Sequence, residues 1–231
     1  MEEKIDGMEY KVVESENATK PRIDVDIHDI KVVIPEDSGI DPRELVKENL
    51  SWIKEKKNQY EKYRNQAPER SFEEGEKFPF LGKDKEIKVK DIGKNKVNED
   101  IILSKKKVDR NSIKEELEKL YRKEARKIFK KKSEKYAEKM EVTFNKIMIW
   151  NQRTRWASCS PKENLSYNWR AIMAPEEIVE YLVIHELTHL KERNHTKRFW
   201  RIVKSYDPEY KKNAEWLKEN SAKLIYDESD L

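Results

Sequence analysis

The chain has 231 residues, enough for one domain or two small ones with a sizeable buried core. Charged residues make up 42% of it, against about 25% in an average soluble protein, yet 50 basic side chains face 46 acidic ones, so the net charge is only +4. That balance permits contact with anions without requiring nucleic acid. With a mean hydropathy of −1.06 and no apolar run near the roughly 20 residues of a membrane span, a helical membrane protein is excluded. The single cysteine, Cys159, excludes an internal disulfide. The charged start Met1-Glu2-Glu3-Lys4 has no apolar signal core behind it, so the expected location is the cytoplasm, with no membrane partner.

In chain order, Ile23, Val25 and Ile27 alternate with charged residues, and Ile30, Val32 and Ile34 do the same before Pro35. This pattern predicts a hairpin with His28-Asp29 at its turn. Asp41-Pro42-Arg43-Glu44 reads as a helix start with a capping box, and the helix is expected to run through Leu45, Val46, Leu50, Trp52, Ile53, Tyr60 and Tyr63. Phe78 to Leu81 form an apolar patch between Gly75 and Gly82. Ile87 with Val89, and Val97 with Ile101 and Leu103, predict short strands around a turn at Gly93-Lys94-Asn95. The expected architecture is α+β, with a β-rich N-terminal region carrying one helix over residues 1–107. A second, catalytic domain follows over 108–231.

Ser112 with Glu115 is a second capping box, opening a helix whose core face is Ile113, Leu117, Leu120, Ala125, Ile128, Tyr136 and Met140. Its other face carries Arg122, Lys123, Arg126, Lys127, Lys130, Lys131, Lys132 and Lys135. Such a face can track a phosphate backbone, but Glu124 and Glu134 interrupt it, and a solvated helix surface is the simpler reading. A strand through Val142, Phe144, Ile147 and Ile149 follows, then Arg153 to Ser160, a turn at Pro161 to Asn164, and a second strand from Leu165 to Arg170. Period-two alternation puts Ser166, Asn168 and Arg170 on a polar face opposite Leu165, Tyr167 and Trp169. A strand in this place, just before the next helix, can bind an extended chain by backbone hydrogen bonds.

That next helix begins at Pro175 with Glu176 and Glu177 in its first turn, and its apolar residues cover nearly the whole circumference, which marks a buried central helix. It carries His185-Glu186-Leu187-Thr188-His189. At about 100° per residue, His185 and His189 point the same way from neighbouring turns and can share one ion, while Glu186 is displaced enough to reach a water on that ion. His-Glu-x-x-His on a helix is the zincin signature: two histidines bind zinc and the glutamate is the general base. His195, six residues after His189, is the candidate third ligand, although Glu192 occupies the glycine position of the metzincin turn. Asn194 is expected to end the helix in the left-handed conformation, Thr196 to cap the next one, and Glu192 or Asp207 to orient a ligand histidine.

Arg153-x-Arg155-Trp156-x-Ser158-Cys159-Ser160, then Asn168-Trp169-Arg170, Ala174-Pro175, the His185 to Leu190 motif, Asn194-His195 and Phe199-Trp200 together resemble the YgjP-type zinc metallopeptidase-like family, related to the SprT and WLM proteases. The resemblance is strongest over about residues 140–202 and weaker through the N-terminal hairpin, Trp52-Ile53 and Phe80-Leu81-Gly82. Members commonly have glycine where Ala157 stands, a difference that bears on local backbone geometry rather than on the metal. The resemblance implies a zincin-like fold, His185, His189 and His195 as zinc ligands, and Glu186 as base. It leaves peptide hydrolysis beside nucleoside-triphosphate (UTP) pyrophosphohydrolysis, since relatives are described as either. A DNA-associated SprT-like protease is a third reading, and a binding module with merely structural zinc a fourth. Arg153, Arg155, Ser158, Asn168 and Arg170 are the expected substrate contacts, the arginines serving to neutralise phosphates if the substrate is a nucleotide. No Walker phosphate loop is present.

Overall fold

The computed structural model describes residues 2–16, 18–25, 29–152, 155–227 and 230. The chain divides into two compact units, residues 1–67 and 68–230. Among the described residues no helix is long and apolar enough to cross a membrane.

In the first unit, strands β1 (Glu2–Ile5), β2 (Met8–Ser15), β3 (Arg22–Val25) and β4 (Ile30–Pro35) form a sheet in the order β1-β2-β4-β3, antiparallel except for the parallel β2–β4 pair. The hairpin is present, with Ile23 opposite Val32; Ile27 and His28 lie outside the described residues. Tyr10, Ile30, Val32 and Ile34 bury one face of the sheet together with Val46 and Ile53. These last two come from helices α1 (Pro42–Glu48) and α2 (Leu50–Gln66), where the sequence predicts one continuous helix. The chain breaks at Asn49, whose backbone leaves the helical region and whose side-chain amide donates to the Leu45 carbonyl at 2.8 Å. Side-chain bonding of this kind competes with the helical ladder. The Asp41 carboxylate accepts from the Arg43 N–H at 2.8 Å, so the cap acts on the second helical residue and not as a box through Glu44.

The second unit begins with β5 (Lys77–Phe80), β6 (Lys83–Lys90), β7 (Lys96–Val97) and β8 (Ile101–Ser104), in the order β5-β6-β8-β7. After the short α3 (Lys105–Val108) comes α4 (Ile113–Met140). A second sheet follows, from β9 (Ile147–Trp150), β10 (Ala157–Cys159) and β11 (Leu165–Asn168), in the order β10-β11-β9. A 3-10 turn at Trp169–Met173 leads into α5 (Glu176–Thr188), and α6 (Lys197–Tyr206) and α7 (Tyr210–Asn220) complete the unit. Phe78, Ile87, Ile101 and Leu103 of the first sheet share one core with Leu117, Tyr121 and Phe129 of α4 and with Val183 and Leu187 of α5. Residues 68–107 therefore belong with the helices, not with the N-terminal region to which the sequence pattern assigns them: their short strands bury apolar faces only against α4 and its neighbours.

Helix α4 is capped as expected, the Ser112 hydroxyl accepting from the Glu115 N–H at 3.1 Å, and it ends at a left-handed Glu141. Much of its basic face is neutralised. Arg122 pairs with Glu118, Lys127 with Glu124, and Lys132 reaches Glu176 and Glu180 of α5 at 2.6 and 2.7 Å. Tyr136 also donates to Glu180, at 2.8 Å. The Lys132–Glu176 and Tyr136–Glu180 contacts run in step, so α4 and α5 lie side by side in the same direction. At the start of α5, Gly82 sits against Pro175 with φ +74°, and a Cβ built there would come within 2.9 Å of the Pro175 Cα.

Candidate metal centre

Helix α5 is buried because its residues leave it no polar face: Ile178, Val179, Tyr181, Leu182, Val183, Ile184, Glu186, Leu187 and Thr188 are all inside. It is one residue shorter at its start than the sequence predicts, with Pro175 at the cap, and it ends early, at Thr188. The Thr188 hydroxyl donates back to the Ile184 carbonyl at 2.7 Å, while its own carbonyl accepts from the N–H groups of Lys191 and Glu192. The helix is thus closed by a turn at residues 189–192 and not by Asn194, which has no positive φ. Thr196 caps α6 as predicted, accepting from the Phe199 N–H at 3.3 Å. The segment between the two helices folds His195 back over the end of α5.

One nitrogen from each of His185, His189 and His195 lies within 4.8 Å of the others. The Nε2 atoms of His185 and His195 face each other at 3.0 Å. The Phe199 ring touches all three imidazoles, with centroids 5.0, 4.7 and 4.6 Å away, and Trp200 stacks on His195 at 5.6 Å. His189 is oriented by a backbone group: its Nδ1 lies 3.1 Å from the Arg193 carbonyl, which leaves Nε2 for a ligand. The two carboxylates expected in that role are occupied elsewhere. Asp207 accepts from the Asn213 amide and the Glu209 N–H, and Glu192 lies 4.0 Å from Arg198. Burial, reinforced by the two neighbouring histidines, pushes the His185 imidazole down to about 3, so it stays neutral. Convergent imidazoles, two of them nitrogen to nitrogen, suit a cation between them, and three ligands leave a coordination position open. The residues present therefore fit a metal ion.

Glu186 is 5% exposed. Burial pushes its carboxyl up to about 8, opposed by a hydrogen bond from the Cys159 N–H and by the charge of Arg155. The base candidate is thus fastened to β10. Among the described residues that strand pairs with β11 alone, through Ala157 with Tyr167, Ser158 with Ser166 and Cys159 with Leu165. The Asn168 N–H donates to the Trp156 carbonyl at 2.8 Å, so by alternation Trp156 and Ser158 turn their backbone groups inward while Ala157 and Cys159 turn theirs to the open edge. Arg193 ties the same region down, donating to the Ser160 and Pro161 carbonyls at 3.3 Å each.

The expected substrate contacts are not gathered at this edge. Arg155 is close enough to influence Glu186, and Ser158 is half-buried in β10. Arg153 lies outside the described residues. Asn168 and Arg170 are buried, 1% and 3% exposed: the central strand β11 is buried on both faces through Asn168, and the 3-10 turn that follows carries Arg170 inward. Asn168 caps the 3-10 turn through the Arg170 N–H and donates to the Gln152 carbonyl at 2.7 Å. Arg170 donates to that same carbonyl at 3.0 Å and pairs with the buried Asp230 at 3.5 Å. Sequence reasoning missed Arg193 and the Cys159 N–H, neither of which leaves a spacing signal. Phe199, which with Trp200 carries part of the resemblance, forms the floor of the site against all three imidazoles.

A helix carrying two histidines and a buried glutamate, with a third histidine folded back upon it, has the form of a metallohydrolase centre. The chain belongs to the YgjP-like metallopeptidase domain family, whose model matches residues 19–220, and this supports a metallopeptidase-like hydrolase that uses a metal ion. It is similar to the UTP pyrophosphatase of Escherichia coli (strain K12), with 43% identity over 37 residues, 16% of this chain and 22% of that protein. The match thus spans about a fifth of that curated relative's length. Among solved structures it is similar to the metallopeptidase zymogen abylysin of Pyrococcus abyssi, at 21% identity and a TM-score of 0.37 over 42% of this chain and 99% of that one. Another is the zymogen jannalysin of Methanocaldococcus jannaschii, at 23% identity and 0.37 over 40% and 96%.

Proposed function

We propose that His185, His189 and His195 hold zinc in a zincin-like unit and that the centre hydrolyses peptide bonds, with Glu186 as general base. The observation that carries the reading is the convergence of the three imidazoles within 4.8 Å beside a buried carboxylate. An all-imidazole donor set suits zinc. Held by these three residues with a position left open, zinc would supply a water of lowered pKa, about 7. Glu186, beside the Cys159 N–H, would accept a proton from the attacking water and give it to the leaving amine. The open edge of β10 supports a peptide substrate: an extended chain pairing with the backbone of Ala157 would run directly past Glu186, which takes the Cys159 N–H of the same edge.

The segment similar to a UTP pyrophosphatase favours a second reading, nucleoside-triphosphate hydrolysis at the same zinc. Several negative charges then need cations. Arg170 is committed to Gln152 and Asp230, which leaves Arg155 as the arginine whose charge acts on the base. A side-by-side assay of an unstructured protein and a nucleoside-triphosphate panel tests both readings, using wild type, Glu186→Gln and Arg155→Ala with zinc content measured for each. Proteolysis that zinc removal and Glu186→Gln abolish, with no nucleotide turnover, is expected. Pyrophosphate release that depends on zinc, Glu186 and Arg155, without peptide cleavage, would replace the first reading by the second.

A further inference from the structure

A cleft of about 520 Å³ opens in the second unit where the Gly93 turn, the end of α3 and the start of α4 meet. Its size suits a small ligand. Five cationic side chains line it: Lys94, Lys107, Arg110, Lys119 and Lys123. The only acid among the lining residues, Glu116, is 3% exposed and held by three donors, the Asn95 amide at 2.8 Å, the Asn111 amide at 2.7 Å and the Lys119 ammonium at 3.0 Å. Asn95 is fixed in turn, its carbonyl oxygen accepting from the Ser104 N–H at 2.9 Å. The floor of the cleft is therefore a hydrogen-bonded network in which Asn95, Asn111 and Lys119 hold the Glu116 carboxylate.

The other four cations, Lys94, Lys107, Arg110 and Lys123, have no carboxylate at ion-pair distance among the described residues. Elsewhere on α4, Arg122, Lys127, Lys130 and Lys132 each meet a glutamate, while among the described residues Arg126 and Lys131 stand singly between them. In a chain with nearly as many acids as bases, four unpaired cations around one concavity hold a local positive field that several phosphate oxygens would neutralise at once. The cleft is separate from the metal centre. Helices α4 and α5 run the same way with Lys132 beside Glu176, so at 1.5 Å per residue the cleft and His185 lie on the order of 30 Å apart along the pair.

We propose that this cleft is a binding site for a small polyphosphate-bearing anion. The confined volume and the glutamates that break up the basic face of α4 beyond it, Glu124 and Glu134, favour such a ligand over a nucleic-acid duplex, which needs an uninterrupted basic track. The inference stands whether or not the reading of the metal centre holds.

Inorganic triphosphate titrated calorimetrically into zinc-loaded protein tests it. Wild type and His189→Ala are expected to bind alike, since the metal centre is not involved. Lys107→Gln/Arg110→Gln and, separately, Lys94→Gln/Lys123→Gln should each raise the Kd at least about tenfold, with unchanged circular dichroism. Arg126→Gln, an exposed cation of α4 outside the cleft, should leave it unchanged. Absence of triphosphate binding, or binding that His189→Ala removes and the double variants keep, would overturn the proposal. So would a 20-base-pair duplex that displaces triphosphate and is weakened by Arg126→Gln as much as by the double variants, since the occupant would then be nucleic acid.

Discussion

Arg170→Leu separates a structural arginine from one that touches substrate. In the native protein the Arg170 and Asp230 side chains are 3% and 2% exposed and 3.5 Å apart, and Arg170 also donates to the Gln152 carbonyl at 3.0 Å. Removing one partner of a buried pair costs about 3–5 kcal/mol, chiefly because the other charge is left uncompensated. Here Asp230 keeps donors from the Asn151 amide at 2.8 Å and from the Tyr226 and Asp227 N–H groups at 2.9 and 3.2 Å. The expected loss is therefore near the lower end, about 3 kcal/mol, or roughly 6–12 °C in the midpoint of a unit of this size. Denaturant and thermal unfolding measure it, and a double-mutant cycle with Asp230→Asn isolates the pair. Zinc content, and turnover measured well below the lowered midpoint, should stay near wild type. A variant of unchanged stability whose KM rises would show that Arg170 faces substrate and that its buried pairing is not what holds it.

Two further outcomes follow from named groups. At pH 7 the Glu186 carboxyl of the metal-free protein, pushed up to about 8, is mostly protonated, whereas His185, held down at about 3, is neutral; zinc binding should then release about one proton from Glu186, read by calorimetry in buffers of different ionisation enthalpy and absent in Glu186→Gln. The sign for stability is the same: a carboxyl raised in the fold favours the metal-free native state below its unfolded value near 4.5, and that contribution is lost as pH rises toward 8, so the midpoint gap between Glu186→Gln and wild type should widen across this window and narrow when zinc is added. Gly82→Ala puts a Cβ at φ +74° within 2.9 Å of the Pro175 Cα and should lower stability by more than about 1 kcal/mol, measurable by denaturant unfolding; an unchanged midpoint would mean the start of α5 yields freely.

The metal motif was legible because a helix of 3.6 residues per turn converts a spacing of four into a shared direction, and the apolar run around it announced a buried helix. Caps were legible for the same local reason at Ser112 and Thr196. Three things were not. The polar face of β11 was read by extending alternation to Arg170, but the backbone turns into a 3-10 helix after Asn168, and only tertiary packing shows that Arg170 points inward. The boundary after residue 67 depends on which core the strands of residues 77–104 join, which periodicity does not specify. The partner of His189 is a backbone carbonyl, a group every residue carries, so no residue type could mark Arg193 for it.

These last contacts explain how a short, largely exposed segment can hold a precise site. Arg193 acts twice: its carbonyl fixes the His189 ring, and its guanidinium grips the carbonyls of Ser160 and Pro161 just beyond β10. From β10 the Cys159 N–H reaches back to Glu186, one residue from His185. Helix α5, the segment after it and the edge strand thus form a closed circuit of hydrogen bonds, each link fixing a different functional group. Phe199 closes the same arrangement from below, since one buried ring within about 5 Å of three imidazoles limits their rotation together. Ligand geometry and base position are therefore set by the same few contacts. A displacement of the edge strand would move Glu186 and loosen His189 at once, and it is along that edge that a bound peptide would exert its force.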